Sequence, residues 1–312
     1  MKTQRTSAIK RGFTLMELMV AMAITTIIVT VLVSITSIAL ETWNRSRAEL
    51  RASRQGKSMI DTMARDFEAM VTRRGNTNEW LSAIVDPSLS SLGDKLKSEN
   101  AARLIFFTAA TDRYAGQIGT TTDLGGDVSC VAYQLEYRDP IDSGGSSQFK
   151  TFVLNRLLVD PNKTFTDLLG KTDTNKSLES VFTAAYGTQL SQPANFVCEN
   201  VFQFSVTFHV LVTDATLTPP TFTVPVTVGS SGQTTKSFLI QGTGIKAEIP
   251  GGTVTPAQLA SGRVTAMEVS VTVISDFGID QLRKRTFTAA QRSEFLRKNS
   301  YEYTKLVQLP SM

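Results

Sequence analysis

The residue with the clearest chemical potential is Glu17, the single charged side chain between residues 13 and 40. The 23 residues from 18 to 40 carry no charge, and a helix needs roughly 20 apolar residues to cross a bilayer. A carboxylate at the start of such a helix is costly to bury unless a cation accompanies it. We therefore interpret Glu17 as a functional residue that pairs with a positive group.

A short basic leader precedes this carboxylate and ends in Gly12. No acidic residue precedes Glu17, and the leader contains four basic residues: Lys2, Arg5, Lys10 and Arg11. Basic residues before a membrane span stay on the cytoplasmic side, so we expect everything after residue 40 to lie outside. Without residues 1–12, the 32 Lys and Arg fall to 28, equal to the 28 Asp and Glu. The net charge of +4 therefore belongs to the leader and does not indicate a nucleic-acid-binding surface.

Catalytic chemistry is nearly absent from the rest of the sequence. His209 is the one histidine, on the polar side of a predicted strand with Ser205 and Thr207. We interpret it as a solvated histidine, and the alternative is a catalytic base or metal ligand. One histidine and two cysteines cannot form a usual zinc site without carboxylates. Phosphate-loop, nucleophile-elbow and zinc-protease motifs are missing, so we predict neither an enzyme nor a cofactor.

Cys130 and Cys198 are the two cysteines, and an oxidising compartment would permit a bridge between them. Alternation places Cys198 on the core face with Phe196 and Phe202. Cys130 points away from the face of Val131. The two sulfurs therefore point apart unless the long helix covers the second face, and both the disulfide and two free thiols remain open.

Two acid-rich loops, residues 139–142 and 173–175, are the candidates for calcium binding. Neither has the ligand spacing of an EF-hand loop. We interpret both as solvated turns, and calcium binding stays as the alternative.

A long N-terminal helix must position Glu17. We predict a transmembrane half at residues 13–40 and an amphipathic half at residues 41–75, with the helix ending near residue 71. Residues 41–74 contain no proline and one glycine, Gly56. Their apolar residues follow helical spacing in part and predict a stripe that packs on the next domain: Trp43, Leu50, Ile60, Met63, Phe67, Met70 and Val71. The cationic run and glycine at residues 73–76 are typical of a helix end.

Residues 76–312 predict one mainly antiparallel β domain, so the fold class is α+β. Alternation is clearest where Phe202, Phe204 and Phe208 share one side of a strand. The predicted strands are residues 103–109, 129–137, 149–159, 196–212, 222–228, 236–249 and 266–275. Helices are predicted at residues 178–186 and 288–298.

The N-terminal motif resembles the class III signal of type IV prepilins and type II secretion pseudopilins. It matches every fixed position of that signal's core: Gly12-Phe13-Thr14-Leu15-Met16-Glu17. The resemblance implies that a prepilin peptidase removes residues 1–12 and methylates the amine of Phe13. It also implies that Glu17 pairs with the amine of a neighbouring subunit.

The same resemblance implies a function and a location. The chain would be a structural minor pilin or pseudopilin of the bacterial inner membrane, with a cytoplasmic N-terminus and a periplasmic β domain. Its partners would be prepilin peptidase, other pilins and an inner-membrane assembly platform. It would assemble through its N-terminal helix into a type II secretion pseudopilus or a type IV pilus-like fibre.

Within the β domain, a predicted hairpin resembles one of the minor pseudopilin J family. A strand with Tyr133 and Leu135 is followed there by one with Leu154 and Arg156. Residues 213–262 have no counterpart in that family and are interpreted as a variable insert. The size and layout are also similar to the prepilin-like C component of the Verru_Chthon cassette.

Other interpretations remain open. The N-terminus could be a secretory signal cut after Ala23 or an uncleaved anchor, although Glu17 interrupts the apolar region that a secretory signal needs. The protein could also be a minor pilin for adhesion or DNA uptake, or a single-pass anchored periplasmic protein. A basic or aromatic patch on the β domain would favour binding, and the neutral charge of the mature chain gives no such sign.

Overall fold

A computed structural model gives the fold of the chain. It describes residues 14–86, 89, 96, 98, 101–109, 127–140, 150–169, 177–214, 219–229, 237–247 and 254–309. The chain divides into two compact units, Met1–Glu49 and Leu50–Met312. The first helix, α1 (Leu15–Glu68), begins in the first unit and ends in the second.

In the first unit, α1 exposes a continuous series of apolar side chains. Leu15 is 77% exposed and Ile38 is 65% exposed, so nothing in the described chain covers this segment. Five threonine hydroxyls donate to the carbonyl oxygen four residues earlier at 2.8 Å: Thr25, Thr26, Thr30, Thr36 and Thr42. Because these hydroxyls need no outside acceptor, they are compatible with an apolar environment. Among the described residues, α1 is the one helix long and apolar enough to cross a membrane.

The second unit is built from strands and short helices. Its strands are β1 (Glu79–Val85), β2 (Ala102–Thr108), β3 (Ser129–Arg138), β4 (Thr151–Val159), β5 (Phe196–Glu199), β6 (Val201–Thr213), β7 (Thr221–Val228), β8 (Ser237–Gln241), β9 (Gly244–Ala247), β10 (Arg263–Ile274) and β11 (Ser300–Gln308). Its longer helices are α2 (Leu178–Leu190), α3 (Pro256–Ser261), α4 (Asp276–Lys284) and α5 (Ala289–Asn299). Short helical turns occupy Pro161–Lys163, Thr164–Leu169 and Pro193–Asn195.

The strands form two antiparallel sheets. The seven-stranded sheet has the order β5-β4-β3-β2-β1-β8-β9, and the four-stranded sheet has the order β11-β10-β6-β7. In the smaller sheet the alternation of β6 is as predicted, because Phe204 and Val206 are fully buried while Gln203 and Ser205 lie on the other face. The predicted α+β architecture, a long N-terminal helix on antiparallel sheets, is confirmed.

The main core lies where the two sheets and about four turns of α1 meet. Met59, Met63 and Phe67 are each at most 1% exposed. The Phe67 ring stacks on Phe106 of β2 with 4.7 Å between centroids. A smaller core cluster covers the other face of the seven-stranded sheet, where Phe182 of α2 is buried. Strands β1 to β4 of the seven-stranded sheet are therefore buried on both faces.

The amphipathic part of α1 differs from the prediction in two respects. Trp43 and Leu50 were assigned to the buried stripe, but they are 68% and 57% exposed. The buried stripe begins at Ala52. The helix also ends at Glu68 rather than near residue 71. Beyond Glu68 the main chain pairs with β2, where the Val71 amide donates to the carbonyl oxygen of Phe107 at 2.9 Å.

Several strand boundaries also differ. The single strand predicted at residues 196–212 is two strands, separated by Asn200 with φ of 62°. The strand predicted at residues 236–249 is the β8–β9 hairpin. Strands β1 and β11 were not predicted. The segment interpreted as an insert contributes β7, β8, β9 and α3, and it buries Phe238 and Leu259 in the main core. It is therefore an integral part of the second unit.

Candidate functional site

Glu17 lies in the first turn of α1, where it forms a reciprocal cap with Thr14. The Thr14 amide and hydroxyl donate to Glu17 Oε2 at 2.9 and 3.0 Å, and the Glu17 amide donates to Thr14 Oγ1 at 3.2 Å. This is the capping-box arrangement, which satisfies two amides that have no partner within the helix. Thr14 and Glu17 of the motif therefore begin the helix. Oε1 of Glu17 accepts no hydrogen bond from the described residues.

The predicted processing residues, Gly12 and Phe13, lie outside the described residues. The position of the predicted amine relative to Glu17 therefore stays a prediction. What the structure shows is the segment that follows, in which Leu15, Met16 and Leu18 are all more than half exposed. A helix with an anion at its start and an uncovered apolar surface fits association inside a membrane.

A buried ionic network in the second unit was not found by sequence reasoning. Asp66 of α1 is 3% exposed, and its two carboxylate oxygens accept from Arg156 Nη2 and Nε of β4, both at 2.8 Å. The Tyr133 hydroxyl of β3 donates to the same carboxylate. Tyr133 and Arg156 face each other directly in the β3–β4 pairing. The network therefore joins the helix to the middle of the larger sheet.

The titration of Tyr133 follows from this environment. Its burial, and next the negative charge of Asp66, hold the pKa of the phenol well above its usual value. The phenol therefore stays protonated and keeps donating its hydrogen bond at any pH where the fold persists. The resemblance to the J-type hairpin had pointed to Tyr133 and Arg156, but only the structure shows that Asp66 lies between them.

The histidine does not belong to a catalytic arrangement in the described chain. His209 is partly exposed on β6, with Nε2 3.6 Å from Glu268 Oε2 of the neighbouring β10. Among the described residues, no group of three or more His, Cys, Asp and Glu side chains is placed to hold a metal ion. Of the two predicted calcium loops, residues 141–142 and 173–175 lie outside the described residues, and so those predictions remain untested.

The disulfide left open by the sequence is not formed. Cys130 and Cys198 are both free and fully buried, and they belong to the two core clusters on opposite faces of the seven-stranded sheet. The alternation argument that pointed the sulfurs apart is thus the correct one. Burial raises the pKa of Cys198 to about 12, with a further contribution from Glu199, and burial alone raises the pKa of Cys130 still further.

We expect both thiols to be unreactive in the folded protein. At pH 8 each remains protonated and inaccessible, and the thiolate is the reacting species. Ellman's reagent should therefore label no thiol in the native chain and both thiols after denaturation, with or without prior reduction. Labelling that requires reduction even in denaturant would show a disulfide and contradict this arrangement.

Comparison with known proteins bears on the N-terminus. Residues 8–33 match the family model described as the prokaryotic N-terminal methylation motif. No curated protein and no solved structure matches the chain significantly. The chain thus carries the class III signal of type IV pilin-like proteins, followed by a long apolar helix.

This match defines the class of protein at a coarse level. The motif supports a pilin- or pseudopilin-type protein that is processed by prepilin peptidase and assembles with other pilins. The single apolar helix near the N-terminus fits a membrane-anchored protein of this class. The family of this motif is structural rather than enzymatic.

Proposed function

We propose that the chain is a structural minor subunit of a pseudopilus or pilus-like fibre, assembled through α1. The observation that carries the proposal is the methylation motif directly followed by an uncovered apolar helix with Glu17 in its first turn. An exposed apolar surface of this extent is stable only in lipid or against other helices. Lipid would cover it in the subunit pool, and neighbouring helices would cover it in the fibre.

The orientation follows from the leader. Its basic residues favour a cytoplasmic N-terminus, so the second unit would lie in the periplasm. The peptidase would cut after Gly12 on the cytoplasmic side, and an inner-membrane assembly platform would draw the processed subunit out of the bilayer. The buried free thiols are compatible with that oxidising compartment because neither is exposed to an oxidant.

The role is structural in this proposal because the second unit is occupied by core packing rather than by a reaction site. Its lone histidine and its buried cysteines lie on different strands and do not converge in the described chain. The assembling system, secretion or pilus, would follow from the host. A retraction ATPase beside the gene favours pili, whereas a secretin and a secretion ATPase without one favour secretion.

A shearing experiment tests the proposal. In a host with its own prepilin peptidase, the chain should appear in the sheared, sedimented fibre fraction together with at least one other processed pilin. Deletion of the peptidase should confine it to the membrane, because an uncut leader keeps the N-terminus anchored. If the chain stays wholly in the membrane of the peptidase-competent host while other pilins enter the fibre, it is an anchored protein and not a subunit.

A further inference from the structure

A small cleft in the second unit is lined by three arginines. It opens where the segment following α1 passes the β8–β9 hairpin and the start of β10, and Arg73, Arg74 and Arg263 line it. Its apolar lining includes Ile245 and Val264, which are 4% and 6% exposed. The apolar residues thus form the deeper part, and the more exposed arginines lie toward the solvent.

The positive charge of the cleft is not neutralised by the described chain. Arg74 Nη2 donates to the carbonyl oxygen of Gly262 at 3.3 Å. The guanidinium groups of Arg73 and Arg263 form no hydrogen bond or ion pair with the residues that the structure describes. The carboxylate of Glu79 accepts hydrogen bonds from the lining residue Gln241 and from the Leu178 amide, and it forms no ion pair with the three arginines.

The segments that carry these arginines are held together by their main chains. The Gly75 amide donates to the oxygen of Gly242 at 2.9 Å, and the Gly242 amide donates to the oxygen of Asn78 at 3.0 Å. At Gly244, with φ of +134°, an added Cβ would lie 2.2 Å from the oxygen of Ala260. The hairpin therefore contacts α3 backbone to backbone. A ligand would meet arginines on preformed supports, which lowers the entropic cost of binding.

The size of the cleft restricts its ligand. Its interior volume of about 40 Å³ holds a few water molecules, so the enclosed part accommodates one small charged group. Guanidinium groups bind carboxylates through paired hydrogen bonds, and the apolar part suits the carbon atoms that accompany such a group.

We propose that this cleft binds a single carboxylate presented by an acidic segment of a partner protein, with an apolar residue beside the acid. Arg73 and Arg263 supply the guanidinium groups that bind the carboxylate. Arg74, which is held by its hydrogen bond to the oxygen of Gly262, lines the cleft beside them. All residues of the site belong to the second unit, so the proposal stands whether or not the chain enters a fibre. It gives the second unit a contact surface of defined chemistry.

Peptide binding to the full chain in a non-ionic detergent tests this site. The probe is a fluorescein-labelled peptide of alternating leucine and glutamate, and its control has glutamine in place of each glutamate. We expect the acidic peptide to bind and the glutamine peptide not to bind. Arg73→Gln and Arg263→Gln should each weaken binding about tenfold, because each removes a charged hydrogen-bonding partner. Arg263→Lys should lose less affinity for the acidic peptide than Arg263→Gln, since lysine keeps the positive charge.

The matched control is Arg285→Gln, which removes the same charge from an exposed position after α4. It should leave the Kd within about twofold. Three results would each overturn the proposal: no binding of the acidic peptide, an equal loss with Arg285→Gln, or stronger binding by inorganic phosphate than by the peptide. Unchanged fluorescence of the buried Trp80 in each variant shows that a loss comes from the site and not from unfolding.

Discussion

Replacing Asp66 with alanine is expected to lower the free energy of unfolding of the second unit by about 3–5 kcal/mol, because it removes the carboxylate that neutralises a buried guanidinium. Arg156 is 8% exposed and donates two hydrogen bonds to Asp66 at 2.8 Å. The Tyr133 hydroxyl loses the same acceptor. Urea unfolding of the chain in detergent, followed through Trp80 fluorescence, measures the change.

A control on the same helix separates the buried network from ion pairs in general. Asp61 pairs with Lys305 at 2.7 Å, but the two side chains are 49% and 40% exposed. Asp61→Ala should therefore have a far smaller effect than Asp66→Ala, since solvent screens an exposed pair. Equal effects of the two substitutions would mean that the Asp66 network does not hold the helix to the sheet.

An apolar replacement of the whole network gives a second check. Asp66→Leu combined with Arg156→Met and Tyr133→Phe removes the polar groups of these three side chains at once. Buried ion pairs exchanged for well-packed apolar groups are often neutral in stability, so the triple variant should recover most of the loss. A triple variant as unstable as Asp66→Ala would show that the loss comes from packing and not from removal of the carboxylate that pairs with Arg156.

Replacing Glu17 with glutamine is expected to reduce recovery of the chain in the fibre by about tenfold or more, because the variant loses a charged partner for the neighbouring amine. The structure makes glutamine the informative substitution. Glutamine can keep the reciprocal bonds with Thr14 that begin α1, since the capping box accepts glutamate or glutamine. Glutamine therefore removes the charge and leaves the helix start in place.

Glu17→Ala removes the charge and the cap bonds that the carboxylate accepts, whereas Thr14→Ala removes the cap bonds of the Thr14 hydroxyl and keeps the charge. If the charge governs assembly, both Glu17 variants should fail to enter the fibre, while Thr14→Ala should enter it. All three should insert in the membrane, because the apolar run after residue 17 is unchanged. Normal fibre recovery for Glu17→Gln together with a failure of Thr14→Ala would assign the residue to helix capping instead of subunit pairing.

The strands that were predicted from the sequence either alternate clearly, as β6 does, or form a mainly apolar run, as β2 and β4 do. β6 is the best example, because its two faces meet core and solvent respectively. β1 escaped prediction since its first five residues are all buried but include Glu79 and Ser82, so they form neither an alternation nor a continuous apolar run. β11 is an edge strand with mostly exposed or half-buried residues, so its apolar signal is low. The break at Asn200 had a local signal, because asparagine tolerates a positive φ.

The functional residues also divide into those that the sequence could predict and those that only the structure shows. The N-terminal motif is contiguous, so sequence alone could predict the apolar helix, which the structure confirms, whereas the pairing role of Glu17 stays a prediction. The Asp66 network joins residues that are 67 and 90 positions apart, and it exists only once α1 packs on the sheet. Asp66 follows helical spacing beside Met63 and Phe67, so it lies within the apolar stripe of α1. An acid within such a stripe is the one sequence signal that could have revealed the network. The arginine cleft likewise depends on the pairing of distant segments.

The most direct test of the central claim is the mass of the N-terminal peptide of the chain in the membrane fraction of a host with prepilin peptidase. The account predicts that the mature chain begins at Phe13 with a methylated amine. In a peptidase-deficient host, or after Gly12 is replaced by a bulky residue, the leader should remain. A chain that retains Met1 or begins at Ile24 in the competent host would contradict processing as a prepilin.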